Sequence, residues 1–268
     1  MMQAQADAFL EETESLAQLL RSAEPSVDYA QPTQFKGWSF DDVLRHLHFW
    51  NLAADTSLTD EAGFAALTRS VMEHARGGGS MREAEAMLVD GLAAGALVDA
   101  WVERARAMAA RFAAAEPKLR LKWVGPDMSA RSSITARYME TWAHGQELYD
   151  ALGVVRENTD HIHNICVLGV NTYGWTFRNR GLDIPEPMPT VHLRAPSGAS
   201  WTWGEADAPS RVEGTAEAFC QAVTQVRNAS EVELEATGDA AQQWMAFAQC
   251  FAGPPQDPPA PGTRFTQR

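Results

Sequence analysis

The chain has 268 residues, of which 45% are hydrophobic and 21% charged, so it is long enough to bury a core and is predicted to be globular. Its 35 acidic residues outnumber the 22 basic ones, and the formal charge of −13 argues against nucleic acid or an anionic membrane as the main partner. The three cysteines, Cys166, Cys220 and Cys250, are odd in number and widely spaced, which excludes a disulfide framework and a CxxC motif and predicts reduced core thiols.

The N-terminal segment carries neither the basic stretch nor the apolar stretch of a secretory signal. The longest uncharged, mainly apolar run covers residues 91–98, far short of the roughly 20 residues that cross a bilayer. We therefore expect a soluble cytoplasmic protein.

From residue 3 to about 153, apolar residues recur at steps of three and four, which is the period of an α-helix. Phe9, Leu16 and Leu20 mark the first helix. Ser39, with Asp42 three residues later, predicts the N-terminal cap of a second helix. A looser stretch follows it up to a run of three glycines.

Two further helices complete this part of the chain. Ser80 with Glu83 has the spacing of a capping box, ahead of a long helix predicted to run towards Ala115. The next helix is predicted from about Ser129, and Gly153 ends it. Four long helices in about 150 residues favour an antiparallel bundle.

The period changes beyond a cluster of prolines at 185, 187 and 189. Residues 191–193 and 201–203 alternate apolar and polar around Ser197 and Gly198, as in a β-hairpin. Two more strands are predicted at 211–214 and 232–236, and helices near 215–227 and 239–251. This pattern predicts a small α+β domain.

The predicted fold class is therefore mostly α, a four-helix bundle followed by a small α+β domain. The expected domains are the bundle at 1–155, a helical linker at 156–185, the α+β domain at 186–253 and a tail at 254–268. The tail is rich in proline and is predicted to be extended or disordered.

Glu140 and His144 are the residues whose spacing suggests chemistry. They are four apart on a predicted helix, so both side chains leave the same face and can share one metal ion. Zinc would need a further ligand, and His46 and His48 are the candidates on the second helix. These two histidines lie about 200° apart around that helix, so only one can face the interior, and spacing leaves open which. A surface ion pair or a core histidine is the alternative interpretation of the Glu140 pattern.

A family resemblance adds to this pattern. Trp38 is followed at the eighth position by His46, and Glu140 is followed by His144 and Gly145. With the C-terminal segments RAPSGASWTWGEADA and AQCFAGPP, these motifs resemble the DinB-like superfamily of mycothiol-dependent maleylpyruvate isomerases, and most of all its uncharacterised metal-binding branch. The resemblance covers nearly the whole chain except the tail.

The resemblance implies a DinB-like bundle in which His46, Glu140 and His144 bind one divalent metal ion, zinc in first place. It also implies a sterol-carrier-like α+β domain. Three nitrogen and oxygen ligands leave a position open for water, a thiolate or a substrate oxygen. Two neutral imidazoles and one carboxylate leave the loaded site at a net charge of about +1, which favours an anionic ligand. His48 is left for packing or for an outer contact.

The sequence departs from the family pattern at two places. Glu147 stands where the family often has Asp, and we take it as a candidate catalytic residue that accepts an imidazole N–H; a solvated glutamate is the alternative. A Thr-Gly-Arg turn of the isomerases is replaced by residues 224–227, so Arg227 is our candidate for binding an anion and maleylpyruvate itself is placed in doubt as the substrate.

These observations predict an enzyme, a metal-dependent and thiol-dependent isomerase or transferase acting on a small anionic or electrophilic metabolite. The thiol would be mycothiol or another low-molecular-weight thiol, since none of the cysteines is placed to act as a nucleophile. Two alternatives stay open: a metal-containing protein that binds a ligand without turnover, and a zinc hydrolase that needs no thiol and uses Glu147 as base. The oligomeric state is not predicted.

Overall fold

The computed structural model describes residues 2–89 and 91–267, and the chain divides into two compact units, Met1–Tyr149 and Asp150–Arg268. The first unit is helical and the second carries a small mixed sheet, so the predicted fold class is confirmed. Among the described residues, each helix falls short of the length and apolar character needed to span a membrane.

Six helices build the first unit. They are α1 (Met2–Ala23), α2 (Phe40–Thr59), α3 (Glu61–Arg76), α4 (Met81–Leu88), α5 (Ala94–Ala114) and α6 (Ala130–Ala151), with a two-residue ladder of β1 (Arg120–Leu121) and β2 (Met128–Ser129) before α6. The four long helices are α1, α2, α5 and α6. Helices α1 and α2 both pack on α5, and α3 and α4 pack on α2.

Both helix starts that the sequence predicted from serine caps are confirmed. The Ser39 hydroxyl accepts the Asp42 N–H at 3.1 Å, and the Asp42 carboxylate accepts the Ser39 N–H at 3.0 Å. Ser80 and Glu83 form the same reciprocal pair at the start of α4. Each box satisfies two N–H groups that a helix end would otherwise leave without a partner.

Two predictions about this region are wrong. The looser stretch after α2 is the helix α3, whose narrow apolar stripe buries only Phe64 and Val71 among its side chains and so gives a weak period. The long helix expected from Ser80 towards Ala115 is two helices, because Gly91 has a φ of 70° and the chain there leaves the helical path.

Large side chains with almost no exposed surface form the core of the first unit. They come from all four long helices: Phe9, Leu16 and Leu20 of α1, Phe40, Leu44 and Phe49 of α2, Trp101 and Phe112 of α5, and Trp142 of α6. Burying one such side chain contributes about 1.5–3 kcal/mol. This core fixes α2 and α6 as the rigid elements on which a site can be built.

The second unit begins with helices and continues into a four-stranded sheet. Its elements are a 3₁₀ turn (Asp160–Ile162), α7 (His163–Asn171), α8 (Tyr173–Asn179), β3 (Thr190–Arg194), β4 (Ser200–Trp203), β5 (Arg211–Thr215), α9 (Ala216–Val223), a second 3₁₀ turn (Ala229–Glu231), β6 (Leu234–Thr237) and α10 (Asp239–Phe247). The strand order is β4-β3-β5-β6, and the β3–β5 pair is parallel while the other two pairs are antiparallel. The predicted hairpin around Gly198, whose φ is 85°, is confirmed.

All three cysteines lie buried in the second unit as free thiols, as the sequence predicted. The sulfur atoms of Cys166 on α7 and Cys220 on α9 are 3.5 Å apart. Burial raises the pKa of the Cys220 thiol well above its usual value, which keeps it protonated and poorly nucleophilic.

The segment from residue 254 to 267 contains no helix or strand. The side chain of Gln225 donates to the carbonyl of Gln256 at 2.8 Å, and Asn228 donates to the carbonyl of Pro259 at 2.9 Å. Arg264 in turn donates to the carbonyl of Gln225 at 2.9 Å. These hydrogen bonds hold the proline-rich chain against the second unit.

Candidate metal centre

Three side chains from two helices meet in the first unit. His46 lies on α2, and Glu140 and His144 lie one turn apart on α6. The Oε2 atom of Glu140 is 3.5 Å from Nε2 of His46 and 3.4 Å from Nε2 of His144. One ligand atom from each residue lies within 4.8 Å of the other two.

These separations differ from those of ordinary hydrogen bonds. A charge-assisted N–H···O bond is about 2.7–2.9 Å long. Two ligand atoms that each lie about 2.1 Å from one tetrahedrally coordinated ion are about 3.4 Å apart. The distances of Glu140 Oε2 to the two imidazole nitrogens therefore fit ligands arranged around one small divalent ion.

A buried polar contact ties the two ligand-bearing helices together beside the site. Nε of Arg137 on α6 donates to Oδ1 of Asn51 on α2 at 3.3 Å, and Arg137 is only 3% exposed. Arg137 precedes Glu140 by three residues, so its guanidinium lies next to the Glu140 carboxylate and offsets its charge.

Aromatic rings cover both histidines. Trp38 stacks parallel to His144 at a centroid distance of 5.9 Å and meets His46 edge-on at 5.3 Å, while Phe35 meets His144 edge-on at 5.0 Å. The side chains of the three ligands keep 14–24% of their surface exposed. The rings restrict the two imidazoles, and the ligand side chains remain partly accessible to solvent.

Glu85 contacts one of the three ligand residues, and no sequence pattern singled it out. Its Oε1 atom lies 2.9 Å from Nδ1 of His46 and accepts the Nε1–H of Trp50 at 2.8 Å. The sequence offers only a weak indication of this position. Glu85 stands four residues before the apolar Val89, and residues at this spacing lie on the same face of a helix, which here is buried.

The comparisons with known proteins decide the family. Residues 9–149, more than half of the chain, match the mycothiol maleylpyruvate isomerase N-terminal domain. The chain belongs to this family. It is 42% identical over 231 residues to the uncharacterized proteins MT0041 and Rv0036c of Mycobacterium tuberculosis, strains CDC 1551 and H37Rv, which covers 86% of this chain and 89% of each relative.

A solved member of the family shares the fold. The crystal structure of the mycothiol-dependent maleylpyruvate isomerase superposes with a TM-score of 0.50 at 16% identity, covering 88% of this chain and 93% of that chain. At this identity the likeness concerns the fold alone.

The two histidines of this family member have different electrostatic environments. Burial disfavours the charged form of His46, but the Glu85 and Glu140 carboxylates outweigh it and raise its pKa to about 9. Burial lowers the pKa of His144, and Glu140 only partly opposes it. Burial acts to raise the pKa of Glu140, yet the neighbouring imidazoles of His144 and His46 and the charge of Arg137 hold it well below its usual range.

His48 lies outside the group of three. Its side chain is 5% exposed, and burial together with the charge of Arg104 lowers its pKa to about 4. His48 is therefore a neutral packing residue at ordinary pH, and among the described residues His46 is the histidine of α2 that joins the ligand group.

Glu147 is 2% exposed, so the alternative of a solvated glutamate is wrong. It is not among the three side chains that the described residues bring within ligand distance of one another. Its role as a catalytic residue stays a prediction.

Arg227 lies in the second unit and is 9% exposed. Its Nη2 forms an ion pair of 2.6 Å with Oδ1 of Asp150, and its Nη1 donates to the carbonyl of Val226 at 3.2 Å. The guanidinium thus already has a carboxylate partner, and its predicted role in binding an anionic substrate stays a prediction.

Proposed function

We propose that this protein is a thiol-dependent isomerase or transferase whose single divalent metal ion, zinc in first place, is held by His46, Glu140 and His144. The observation that supports the proposal is the ligand geometry, in which Glu140 Oε2 lies 3.4–3.5 Å from two imidazole nitrogens. The thiol dependence is supported by membership of a family whose name includes the thiol mycothiol.

A divalent ion in this position would supply Lewis acidity, which lowers the pKa of a coordinated thiol until the thiolate prevails near neutral pH. The chain's own thiols are poor candidates for this role, since all three cysteines are buried and lie outside the unit that carries the three ligands. The nucleophile would therefore belong to a cofactor, mycothiol or another low-molecular-weight thiol.

The charges of the side chains favour an anionic or electrophilic substrate. Two neutral imidazoles and the Glu140 carboxylate would leave a dication with a net charge of about +1. Glu85 adds one negative charge and Arg137 adds one positive charge, so the net charge of the ligands and their neighbours stays at about +1. This net positive charge would attract a small metabolite that carries a carboxylate next to an electrophilic carbon.

The thiol accounts for both reaction types. When bound, it would supply a nucleophilic thiolate for a substrate with a carbon–carbon double bond conjugated to a carbonyl group. Addition would form the C–S bond as the π electrons move onto the carbonyl oxygen, and their return with loss of the thiolate would give the geometric isomer. Protonation of the neighbouring carbon instead would give a thioether, the product of a transferase. We keep the cytoplasm as the expected location, because thiols are held reduced there.

Metal content tests the proposal first. Wild-type protein loaded with zinc and then desalted should retain about one equivalent by elemental analysis. His46→Gln and His144→Gln should lose most of it while their circular dichroism stays unchanged. His74→Gln is the matched control, because His74 lies on α3 of the same unit with a carboxylate partner, Glu83, at 3.5 Å. Full metal content in both ligand variants would refute the metal site.

Activity separates the proposed enzyme from its alternatives. The metal-loaded protein should convert small unsaturated or otherwise electrophilic carboxylates only when mycothiol or another thiol is added. Nuclear magnetic resonance signals of the substrate and the thiol would measure the conversion. Turnover of activated esters without thiol would indicate the hydrolase instead. Ligand binding without turnover across the panel would indicate a binding protein.

A further inference from the structure

Glu85 is a buried carboxylate whose position the three-ligand geometry does not explain. Its side chain has no exposed surface, and it lies on α4, whereas the ligands lie on α2 and α6. Its Oε1 contacts His46 Nδ1 at 2.9 Å and Trp50 Nε1 at 2.8 Å. Its Oε2 is buried without a hydrogen-bond partner among the residues that the structure describes.

Such a carboxylate is expensive to bury. Taking an ionised group out of water costs several kcal/mol. A buried carboxylate that lacks some of its hydrogen-bond partners is less favourable for folding than an apolar side chain of the same volume. The Trp50 contact alone could be replaced by apolar packing in the surrounding cluster of Phe49, Ala53 and Phe64. The contact with His46 is the one that an apolar residue cannot supply.

The donor and acceptor roles in that contact are determined by chemistry. A carboxylate oxygen only accepts, and its two lone pairs can take the Trp50 N–H and one further donor. The Nδ1 atom of His46 must therefore carry the proton, which leaves Nε2 as the atom with a free lone pair in the neutral ring. Nε2 is the atom that faces Glu140 at 3.5 Å.

We infer that Glu85 is the positioning residue of the metal centre: it holds His46 in the Nδ1–H tautomer and fixes the ring so that Nε2 points at the ligand position. The inference rests on the proposed function, since it assigns Glu85 to that same site. Carboxylates that accept the outer N–H of a ligating imidazole orient the ring and make it a better ligand.

Two substitutions of similar volume test the inference. Glu85→Gln keeps an acceptor oxygen but loses the charge, and Glu85→Met removes the acceptor. The zinc dissociation constant, measured by competition with a chromophoric chelator, should rise about 10-fold in E85Q and up to about 100-fold in E85M. The visible spectrum of the cobalt-loaded protein should shift less in E85Q than in E85M, because E85M leaves the His46 ring free to turn.

Trp50→Phe is the structural comparison, since it removes the other hydrogen bond to the same oxygen and leaves the His46 contact in place. If Glu85 serves only to hold α4, W50F and E85M should lower the melting temperature alike without changing zinc affinity in the folded protein. Unchanged zinc affinity and an unchanged cobalt spectrum in E85M would overturn the inference and leave the proposed function standing. A wild-type protein that binds neither metal would overturn both.

Discussion

Asp150 stands near the end of α6, where the second unit begins, and its ion pair with Arg227 is expected to stabilise that unit substantially. The side chain of Arg227 is 11% exposed and that of Asp150 is 1% exposed, and the two charges are 2.6 Å apart. Thr266 donates to the same carboxylate oxygen at 3.0 Å. Arg227→Met removes the guanidinium and leaves the Asp150 carboxylate buried beside the methionine.

The burial of both groups sets the magnitude. Removing one partner of a buried ion pair costs about 3–5 kcal/mol, because the remaining charge cannot recover its hydration. For a unit of this size, that cost corresponds to a fall of roughly 10–20 °C in melting temperature. Combining Arg227→Met with Asp150→Leu removes the buried carboxylate as well as the guanidinium and should recover part of the loss.

Thermal and urea unfolding followed by circular dichroism would measure these differences. Arg194→Met is the matched control, since Arg194 pairs with Glu233 at 3.1 Å in the same unit but the two side chains are 63% and 73% exposed. The control should lose about 1 kcal/mol or less. A loss in R227M no larger than that of R194M would refute the reasoning and return Arg227 to the role of a free anion-binding residue.

Three further predictions concern stability. Gly214→Ala should destabilise the sheet by about 2 kcal/mol or more in urea unfolding, because an added Cβ would lie 2.2 Å from the carbonyl oxygen of Glu233 on the neighbouring chain segment; unchanged stability would contradict this geometry. Phe112→Ala, at a position with no exposed surface, should cost about 3–5 kcal/mol by the same measurement. Burial raises the pKa of Tyr29 and Tyr173 to about 12, above the value of about 10 for an unfolded chain. The unfolded state therefore binds fewer protons between pH 10 and 12, so the free energy of unfolding should fall over that range, and the near-ultraviolet absorbance of the native protein should show tyrosinate later than the unfolded protein does.

Local sequence signals predicted the helix starts well. The capping boxes at Ser39 and Ser80 involve residues only three apart, so the sequence contains all of their partners. The hairpin at Gly198 is similar, because its turn and its alternating strands are neighbours in the chain.

Long-range contacts explain what local patterns missed. The first N–H of α5 is that of Ala94, and it donates at 2.7 Å to the carboxylate of Asp41, 53 residues earlier. Arg45 of α2 also donates to the carbonyl of Leu92, at 3.4 Å. These contacts hold Leu92 and the start of α5 against α2 and separate two helices that an alanine-rich sequence would join.

In the candidate metal centre, too, spacing predicted the residues that are close in sequence and did not predict those brought together by long-range contacts. Glu140 and His144 are neighbours on one helix face, and their spacing was enough to single them out. The choice between His46 and His48 depended on which face of α2 meets α6, which spacing could not decide. Glu85 approaches His46 from 39 residues away, on a helix whose docking no local pattern describes.

The side chains of α4 that the structure describes bury very little apolar surface. Of the side chains on α4 whose exposure the structure describes, only Ala84 and Glu85 are buried, a methyl group and a carboxylate. Segments with so few buried contacts open locally at a lower free energy than the whole domain. Each opening of α4 would withdraw Glu85 from His46, and any ion that binds more tightly to the closed form would favour closure by mass action. Amide hydrogen exchange along α4 would then slow as the centre fills, so the motion of one short helix would report the occupancy of a site to which it contributes no ligand.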